Sequence, residues 1–363
     1  MTMFTPDADV DQREPWRCDV VGSFAWKTCT ERWPRIVDGL ARELPAHAAA
    51  LHALRDEIRS GTVLTMRGAD DDARFDAVHD VAGLPWTALP WYLGESWLYA
   101  RIRAAVGFKH HHKDPFRARK AAEEHALVDG DNPSDPAPLD SALWRALWGN
   151  RVDLSLPSAM AHTDETAASL LVDDREQALA WLQGARRVDI LLDNAGVEVF
   201  ADLQLARALT DVGVEVTLWA KDVPFFVSDA MPADVEIARR RLRRPLPPDV
   251  TIRPERFLSG PGFLQTSALP AHVVTALSAS DVIIAKGDCN YRRLVCDAVY
   301  DVDDDRSFDD VVAMPAPVIA LRTLKAEVAI GIPPDRARAA AAVDGDWLVS
   351  GRFGVVQCAA GKR

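Results

Sequence analysis

Four short apolar runs constrain this chain most. VDILLDN (188–194), VEVTLWAKD (214–222), DVIIAKGD (281–288) and PVIALRT (317–323) each end on polar residues, and each is followed by a segment of helical pattern. Runs rich in Val, Ile and Leu with crossover-length segments between them read as strands of a parallel sheet covered by helices on both faces. The first run stops on Asp193-Asn194, passes through Ala195-Gly196, and only then resumes helical spacing in VEVFADLQLARALTDVG (197–213). In such a sheet ligands bind outside the carboxyl ends of the strands. The polar residues at those ends are therefore candidate site residues.

The first third has another rhythm. ERWPRIVDGLARELPAHAAALHALRDEIRSG (31–61) repeats apolar residues every three or four positions and stops at Gly61, and WYLGESWLYARIRAAVGF (91–108) reads as a second amphipathic helix. A helical bundle is expected there. LVDGDNPSDPAPLDS gathers Pro, Asp, Gly and Ser as a surface connection does, and SALWRALWGNRVDLS beyond it is again helical. These shifts divide the chain into an N-terminal helical part, 1–150, and an α/β part, 151–363.

Composition narrows the function. With 363 residues, 48% hydrophobic and 26% charged, the chain is long enough for a sizeable core and has ordinary globular content. A net charge of -12 argues against a nucleic-acid surface, and the basic run Arg239-Arg240-Arg241 with Arg243-Arg244 reads as a solvated helix face. Five cysteines without a CxxC pair predict neither a disulfide framework nor a zinc site. No apolar run reaches bilayer length, so a membrane is not an expected partner and a cytoplasmic enzyme is the default.

Asp193 and Asn194 offer a carboxylate and a carbonyl oxygen, and Asp229 of PFFVSDA offers a further carboxylate. Hard oxygen donors of this kind suit Mg2+ or Mn2+. Lys286, Arg322 and Lys325 are cations of the type that hold phosphate, so metal and cations together describe a phosphate-ester site. Gly196 permits close approach or an unusual turn, and the helix starting near Glu198 directs its N-terminal dipole at the same crevice. Singly, each feature has an ordinary explanation. Asp and Asn form turns and caps, Lys286-Gly287-Asp288 makes a strand-to-loop turn, and Arg322 with Lys325 forms a solvated face partnered by Glu327. Their joint occurrence at consecutive strand ends, matched to one anion and one metal, favours the site.

The stretches DNAGVEVFADLQLA (193–206), DVPFFVSD (222–229), AKGDCNYRRL (285–294), LRTLKAEV (321–328) and GRFGVVQ (351–357) resemble the damage-control phosphatases formerly catalogued as domain-of-unknown-function family 89. SFAWKTCTERWPRIV (23–37), WYLGESWLYARI (91–102) and DPFRARK (114–120) extend the likeness over nearly the whole chain. The element Arg322-Thr323-Leu324-Lys325 marks the subgroup similar to acidic-residue methyltransferase-like proteins.

The resemblance implies a three-layer α/β/α Rossmann-like sandwich with a largely parallel sheet and an N-terminal helical bundle. It implies a phosphatase that depends on a divalent metal, Mn2+, Co2+ or Ni2+, with Mg2+ also compatible. Its substrates would be small phosphometabolites such as fructose 1-phosphate and fructose 6-phosphate. Carried onto this chain, Asp193, Asn194 and Asp229 look like the metal ligands and catalytic residues. The segment Arg322, Thr323, Leu324, Lys325 and Ala326 looks like the phosphate and sugar site. Lys286 is a further phosphate contact, joined by Asp288 and Asn290 of the same element, and Glu95 is a contact for sugar hydroxyls. Gly351-Arg352-Phe353-Gly354 stands where the family commonly has Gly-Lys-Tyr-Gly, so Arg352 keeps a cation with a different geometry.

Other readings stay open on sequence alone. Methylation of protein carboxylates by S-adenosylmethionine fits a Rossmann-like sheet, although it needs no phosphate-binding cations and the chain shows no GxGxG loop after a strand. A non-catalytic or altered-function family member is another. Direct attack by Asp193 and attack by a metal-bound water are equally compatible. His110-His111-His112 reads as a solvated turn, DVDDDRSFDD (301–310) as an acidic surface loop, and Trp86, Trp91 and Trp97 as core.

Overall fold

The computed structural model describes residues 14–64, 73–129, 138–149, 167–301 and 305–362. The polar N-terminal stretch, most of the connection LVDGDNPSDPAPLDS, the end of SALWRALWGNRVDLS and residues 302–304 of the acidic run lie outside the described residues.

Seven strands form one sheet: β1 (Leu170–Asp173), β2 (Arg187–Leu191), β3 (Glu215–Lys221), β4 (Val250–Glu255), β5 (Val282–Lys286), β6 (Val318–Thr323) and β7 (Gly354–Ala359), in the order β1-β7-β6-β5-β2-β3-β4. The five strands from β4 to β6 are parallel. β7 runs antiparallel to β6 and β1 runs parallel to β7, so two strands at one edge oppose the rest. The four apolar runs of the sequence are β2, β3, β5 and β6, the centre of the sheet. β4 escapes an apolar-run search because it alternates with exposed residues and carries Pro254, which an edge strand tolerates.

Alternation along the strands sends side chains into two cores. Leu191, Trp219, Ile283, Ala285 and Ala320 join one cluster with the helices of the first third. Ile190, Leu218, Ile284 and Leu321 join the other. Each fully buried aliphatic side chain of this kind stabilises the fold by about 1.5–3 kcal/mol.

The helices of the first third are α1 (Phe24–Lys27), α2 (Trp33–Glu43), α3 (Ala48–Ser60), α4 (Trp91–Ala105), α5 (Phe108–His111), α6 (Arg117–Asp129) and α7 (Leu139–Gly149). The pattern over 31–61 is divided at Leu44-Pro45 by a short 3-10 turn, because Pro45 cannot donate to a continuing helix, and it ends as expected on Gly61 with a φ of 110°. α4 differs from the expected amphipathic helix. It is buried on nearly every side and stops three residues short of Phe108, before Gly107 with a φ of 68°. A helix enclosed by neighbours has no need of a polar face.

The α/β part contributes α8 (Arg175–Gly184), α9 (Val197–Asp211), α10 (Pro232–Arg239), α11 (Ala271–Leu277), α12 (Gly287–Leu294), α13 (Phe308–Val311) and α14 (Pro334–Val343). α7 packs on α9 and on β6, beneath the face opposite α1 to α4.

Candidate active site

Past Leu191 the chain leaves the ladder in steps. Leu192 N–H donates to Trp219 O at 3.0 Å, Ala230 N–H donates to Asp193 O at 2.8 Å, and Ala195 N–H donates to Ser228 O at 2.7 Å. An antiparallel bridge between Asn194 and Asp229 results, which sets Asp193, Asn194 and Asp229 side by side. Gly196 then turns the chain with a φ of 70° against Glu123 of α6, and α9 begins at Val197.

Alternation decides what meets these carboxylates. Lys221, last in β3, shares the face of Trp219 and is fully buried. Its Nζ donates to Leu192 O at 2.8 Å and lies 3.6 Å from Asp193 Oδ1 and 3.9 Å from Asp229 Oδ1. Burial raises the Asp193 carboxyl well above the usual carboxylate range, against the pull of Lys221, and Glu198 and Asp229 push it further up. Asp229 is raised by burial too, with Lys221 opposing. Two desolvated carboxylates facing one buried ammonium form a site that favours a further cation.

Asp193, Asn194, Ser228, Asp229, Asp288, Lys325 and Ala326 line one cavity, with Arg32, Trp91, Glu95, Tyr99, Phe226, Val227, Cys289 and Arg292 as its remaining lining. Among the described residues no three His, Cys, Asp or Glu side chains are grouped as a metal site, so the donor set here is two carboxylates and one amide. These residues fit a hard divalent cation. Asp229 Oδ1 is buried and accepts no hydrogen bond, and Asn194 is oriented by its Nδ2, which donates to Glu198 Oε2 at 2.9 Å, so that its Oδ1, which accepts from the Ser228 hydroxyl at 2.7 Å, keeps a second lone pair.

The other sequence candidates divide. Asp288 Oδ1 accepts from Arg322 Nε at 2.7 Å and from the Lys325 N–H at 3.3 Å, so it braces the loop that brings Lys325 and Ala326 to the cavity. Arg322 is buried over the Tyr291 ring and donates to Ala326 O at 3.0 Å and to Val328 O, gripping that loop from behind. Thr323 and Leu324 are buried in the same turn. Glu95 lines the cavity, where its Oε2 accepts from Arg292 Nη1 at 2.7 Å. Arg352 is half-buried beside Phe353 and is not in the cavity lining.

Lys286 and Asn290 also lie outside the lining. Lys286 shares the face of Ile284, so its buried Nζ meets Ala146 O of α7, Asp202 at 3.2 Å and Glu198 at 3.6 Å. Asn290 donates to Leu191 O and Leu192 O, both at 3.2 Å, and to Lys286 O at 2.8 Å, clamping the end of β2 to the start of α12. Glu327 accepts from the Phe24 N–H at 3.2 Å rather than from Arg322 or Lys325. Lys221 stood among the polar strand ends of the sequence without a role of its own, and strand parity supplies it. Sequence reasoning missed Arg32 and Arg292, which lie on helical elements rather than at strand ends.

An α/β/α sandwich that gathers two carboxylates, an amide and a lysine at the carboxyl ends of parallel strands has the donor types that metal-assisted phosphoester chemistry needs. Residues 28–339 match the family model of the damage-control phosphatase ARMT1-like domain. The chain belongs to that family and is a phosphatase with a divalent metal and a small-molecule substrate. Proteins named damage-control phosphatase ARMT1 are similar to it. That of Danio rerio is 26% identical, covering 93% of this chain and 94% of its own, and that of Homo sapiens is 25% identical, covering 93% and 96%. That of Xenopus tropicalis is 31% identical over 60% of this chain and 58% of its own. The crystal structure of a DUF89 family protein from Pyrococcus horikoshii has the same fold, with a TM-score of 0.52 at 16% identity, covering 94% of this chain and 98% of that one. Among the described residues no helix is long and apolar enough to cross a membrane.

Proposed function

We propose that this cavity hydrolyses sugar phosphates, fructose 1-phosphate and fructose 6-phosphate among them, with Asp193, Asn194 and Asp229 holding Mn2+, Co2+, Ni2+ or Mg2+. One observation carries the reading. Asp193, Asn194, Asp229, Asp288 and Lys325, from separate strand ends, line a single cavity whose remaining wall includes the rings of Trp91, Tyr99 and Phe226, the carboxylate of Glu95 and the guanidinium groups of Arg32 and Arg292. The cation would supply charge stabilisation to the phosphoryl group and acidify water.

The chain's own groups do the rest. Lys325 neutralises phosphoryl oxygen charge, in a position set by Asp288 and Arg322. Lys221, fixed by Leu192 O, holds the Asp193 and Asp229 carboxylates in place without entering the cavity lining. Glu95, fixed by Arg292, accepts from hydroxyls of the sugar. Asp193 is placed either to attack phosphorus or to orient water, and both roles need its carboxylate. The five free cysteines support a reducing, cytoplasmic setting.

Phosphate release from a panel of sugar phosphates by metal-stripped protein, with each cation added in turn, tests the reading. Release that requires a cation and vanishes in Asp193→Ala is expected. Release by no cation, or near-normal turnover in that variant, removes the proposal.

A further inference from the structure

Helix α12 ends in an unusual backbone. After its capping residue Val295, both Cys296 and Asp297 are left-handed, with φ of 59° and 47°, a conformation that one other non-glycine residue among those described shares. The first follows from how helices stop. The Asp297 N–H donates to Arg292 O at 2.7 Å, the six-to-one bond that closes many helix ends, with Cys296 in the place where glycine is usual. The second is not explained that way. Non-glycine residues hold such a conformation only where the surrounding structure fixes it, and they cluster at functional sites. Here Asp297 O accepts from the Trp16 N–H at 2.9 Å, and the turn carries the Asp297 carboxylate back along α12 and across to α4.

That one carboxylate serves two elements. Asp297 Oδ1 accepts from Arg292 Nε at 2.7 Å, and Oδ2 accepts from Arg292 Nη2 at 3.2 Å and from the Tyr92 N–H at 3.0 Å. Pro90, at the start of α4, has no side-chain acceptor for the first N–H groups of that helix, so they are satisfied from outside, Trp91 by Trp16 O at 2.7 Å and Tyr92 by Asp297. Arg292 is buried with its guanidinium 3.9 Å from the Trp91 ring centre, and its Nη1 donates to Glu95 Oε2 at 2.7 Å, about one turn further along α4. Asp297 is buried and is not in the cavity lining, whereas Glu95 and Arg292 both are.

Glu95 and Arg292 come from different parts of the chain, α4 of the helical third and α12 of the α/β part, so their spacing in the cavity wall depends on how those two helices are held. Asp297 holds both at once. It takes two N–H groups of Arg292 while Glu95 takes a third, and a planar guanidinium fixed at those points has its orientation fixed as a whole. A carboxylate beside a guanidinium offers an acceptor next to a donor. That pairing suits hydroxyl groups, which both donate and accept, whereas a phosphoryl oxygen only accepts and is repelled by the carboxylate. We propose that Asp297 is a positioning residue for substrate specificity: by capping α4 and gripping Arg292 it sets the Glu95 and Arg292 pair to bind hydroxyl groups on the alcohol portion of the phosphoester. This rests on the sugar-phosphate reading for what enters the cavity.

The test measures binding of a hexose phosphate, methyl phosphate and inorganic phosphate to the Mn2+-loaded full chain, and turnover of the two esters, in Asp297→Asn, Glu95→Gln and the double variant. Asp297→Asn keeps the shape of the side chain and removes one accepting oxygen. It is expected to weaken hexose phosphate binding, and to raise its KM, about tenfold while methyl phosphate and inorganic phosphate change less than about twofold. Because Asp297 acts through the Glu95 and Arg292 pair, the double variant should lose no more on hexose phosphate than the weaker-binding single variant, where independent effects would multiply. Arg292→Lys, which keeps the charge without the fork, should show the same selectivity and serves as the second variant if Asp297→Asn does not fold. Equal losses on all three ligands, no loss on any, multiplied losses in the double variant, or no hexose phosphate binding by the wild type would overturn the proposal. Selective weakening of binding with no phosphate release from the hexose phosphate would leave the role of Asp297 standing and remove the sugar-phosphate reading; normal release without the selectivity would do the reverse.

Discussion

The α-carbon of Gly287 stands against the side chain of Asp193. A β-carbon built on it would lie 2.6 Å from Asp193 Cβ and nearer still to the carboxyl group, and Gly287 holds a φ of +77°. The first residue of α12 is thereby the seat of the carboxylate that leads the site. Gly287→Ala is expected to displace Asp193, lowering kcat/KM by about 100-fold or more, as a displacement on the order of 1 Å does in a positioned site. The left-handed backbone alone costs about 1–2 kcal/mol for alanine. Turnover and melting temperature measured together check this; wild-type kcat/KM in the variant would show that Asp193 does not depend on this close approach.

Strand parity explains both what the sequence revealed and what it hid. Asp193, Asn194 and Asp229 were legible because strand ends in a parallel sheet are where ligands bind, and a polar pair closing an apolar run is visible without coordinates. Lys286 and Lys325 look alike in sequence, each a cation beside a strand end. Lys286 is an in-register strand residue and points with Ile284 toward α7 and α9, while Lys325 lies past β6 in a loop bent back by Arg322. Lys221 obeys the same rule with the opposite result, sharing the face of Trp219. Arg32 and Arg292 reach the cavity through the packing of helices against one another, which depends on contacts distant in sequence and leaves no local pattern.

Lys221→Met tests the buried ammonium. Removing one partner from a buried charge set costs about 3–5 kcal/mol, because the remaining charges stay desolvated and uncompensated. Metal-free Lys221→Met should melt below metal-free wild type, and a divalent cation should restore more of the loss in the variant than it adds to the wild type, since it supplies the charge that Asp193 and Asp229 have lost. Equal cation-induced shifts in the two proteins would count against a metal between those carboxylates.

Arg322→Lys keeps the charge and removes the fork. Three directed donations, to Asp288, Ala326 O and Val328 O, collapse to what a single ammonium can offer, and the stacking on Tyr291 is lost. Steady-state kinetics should show kcat/KM for the phosphoester reduced about 10–100-fold with weaker inhibition by inorganic phosphate, because Lys325 loses its brace. Kinetics indistinguishable from wild type would mean that charge alone, not the shape of the loop, is what Arg322 provides.

Asp202, on α9 beneath the site, gives the pH dependence a definite sign. Burial pushes its carboxyl up to about 7, against the opposing charge of Lys286, while the same group in the unfolded chain titrates near 3.8. Between those values the folded chain holds a proton that the unfolded chain has released. The stability tied to this group is therefore complete below the unfolded value and declines as pH rises, by up to about 1.4 kcal/mol per pH unit, levelling off above about 7. Asp202→Asn cannot titrate and removes that slope. Urea unfolding of both proteins in steps from about pH 4.5 to about pH 8 should show the wild type losing stability relative to the variant up to neutrality, then running parallel to it. Curves parallel over the whole range would mean that Asp202 is ionised throughout, with Lys286 strong enough to offset its burial.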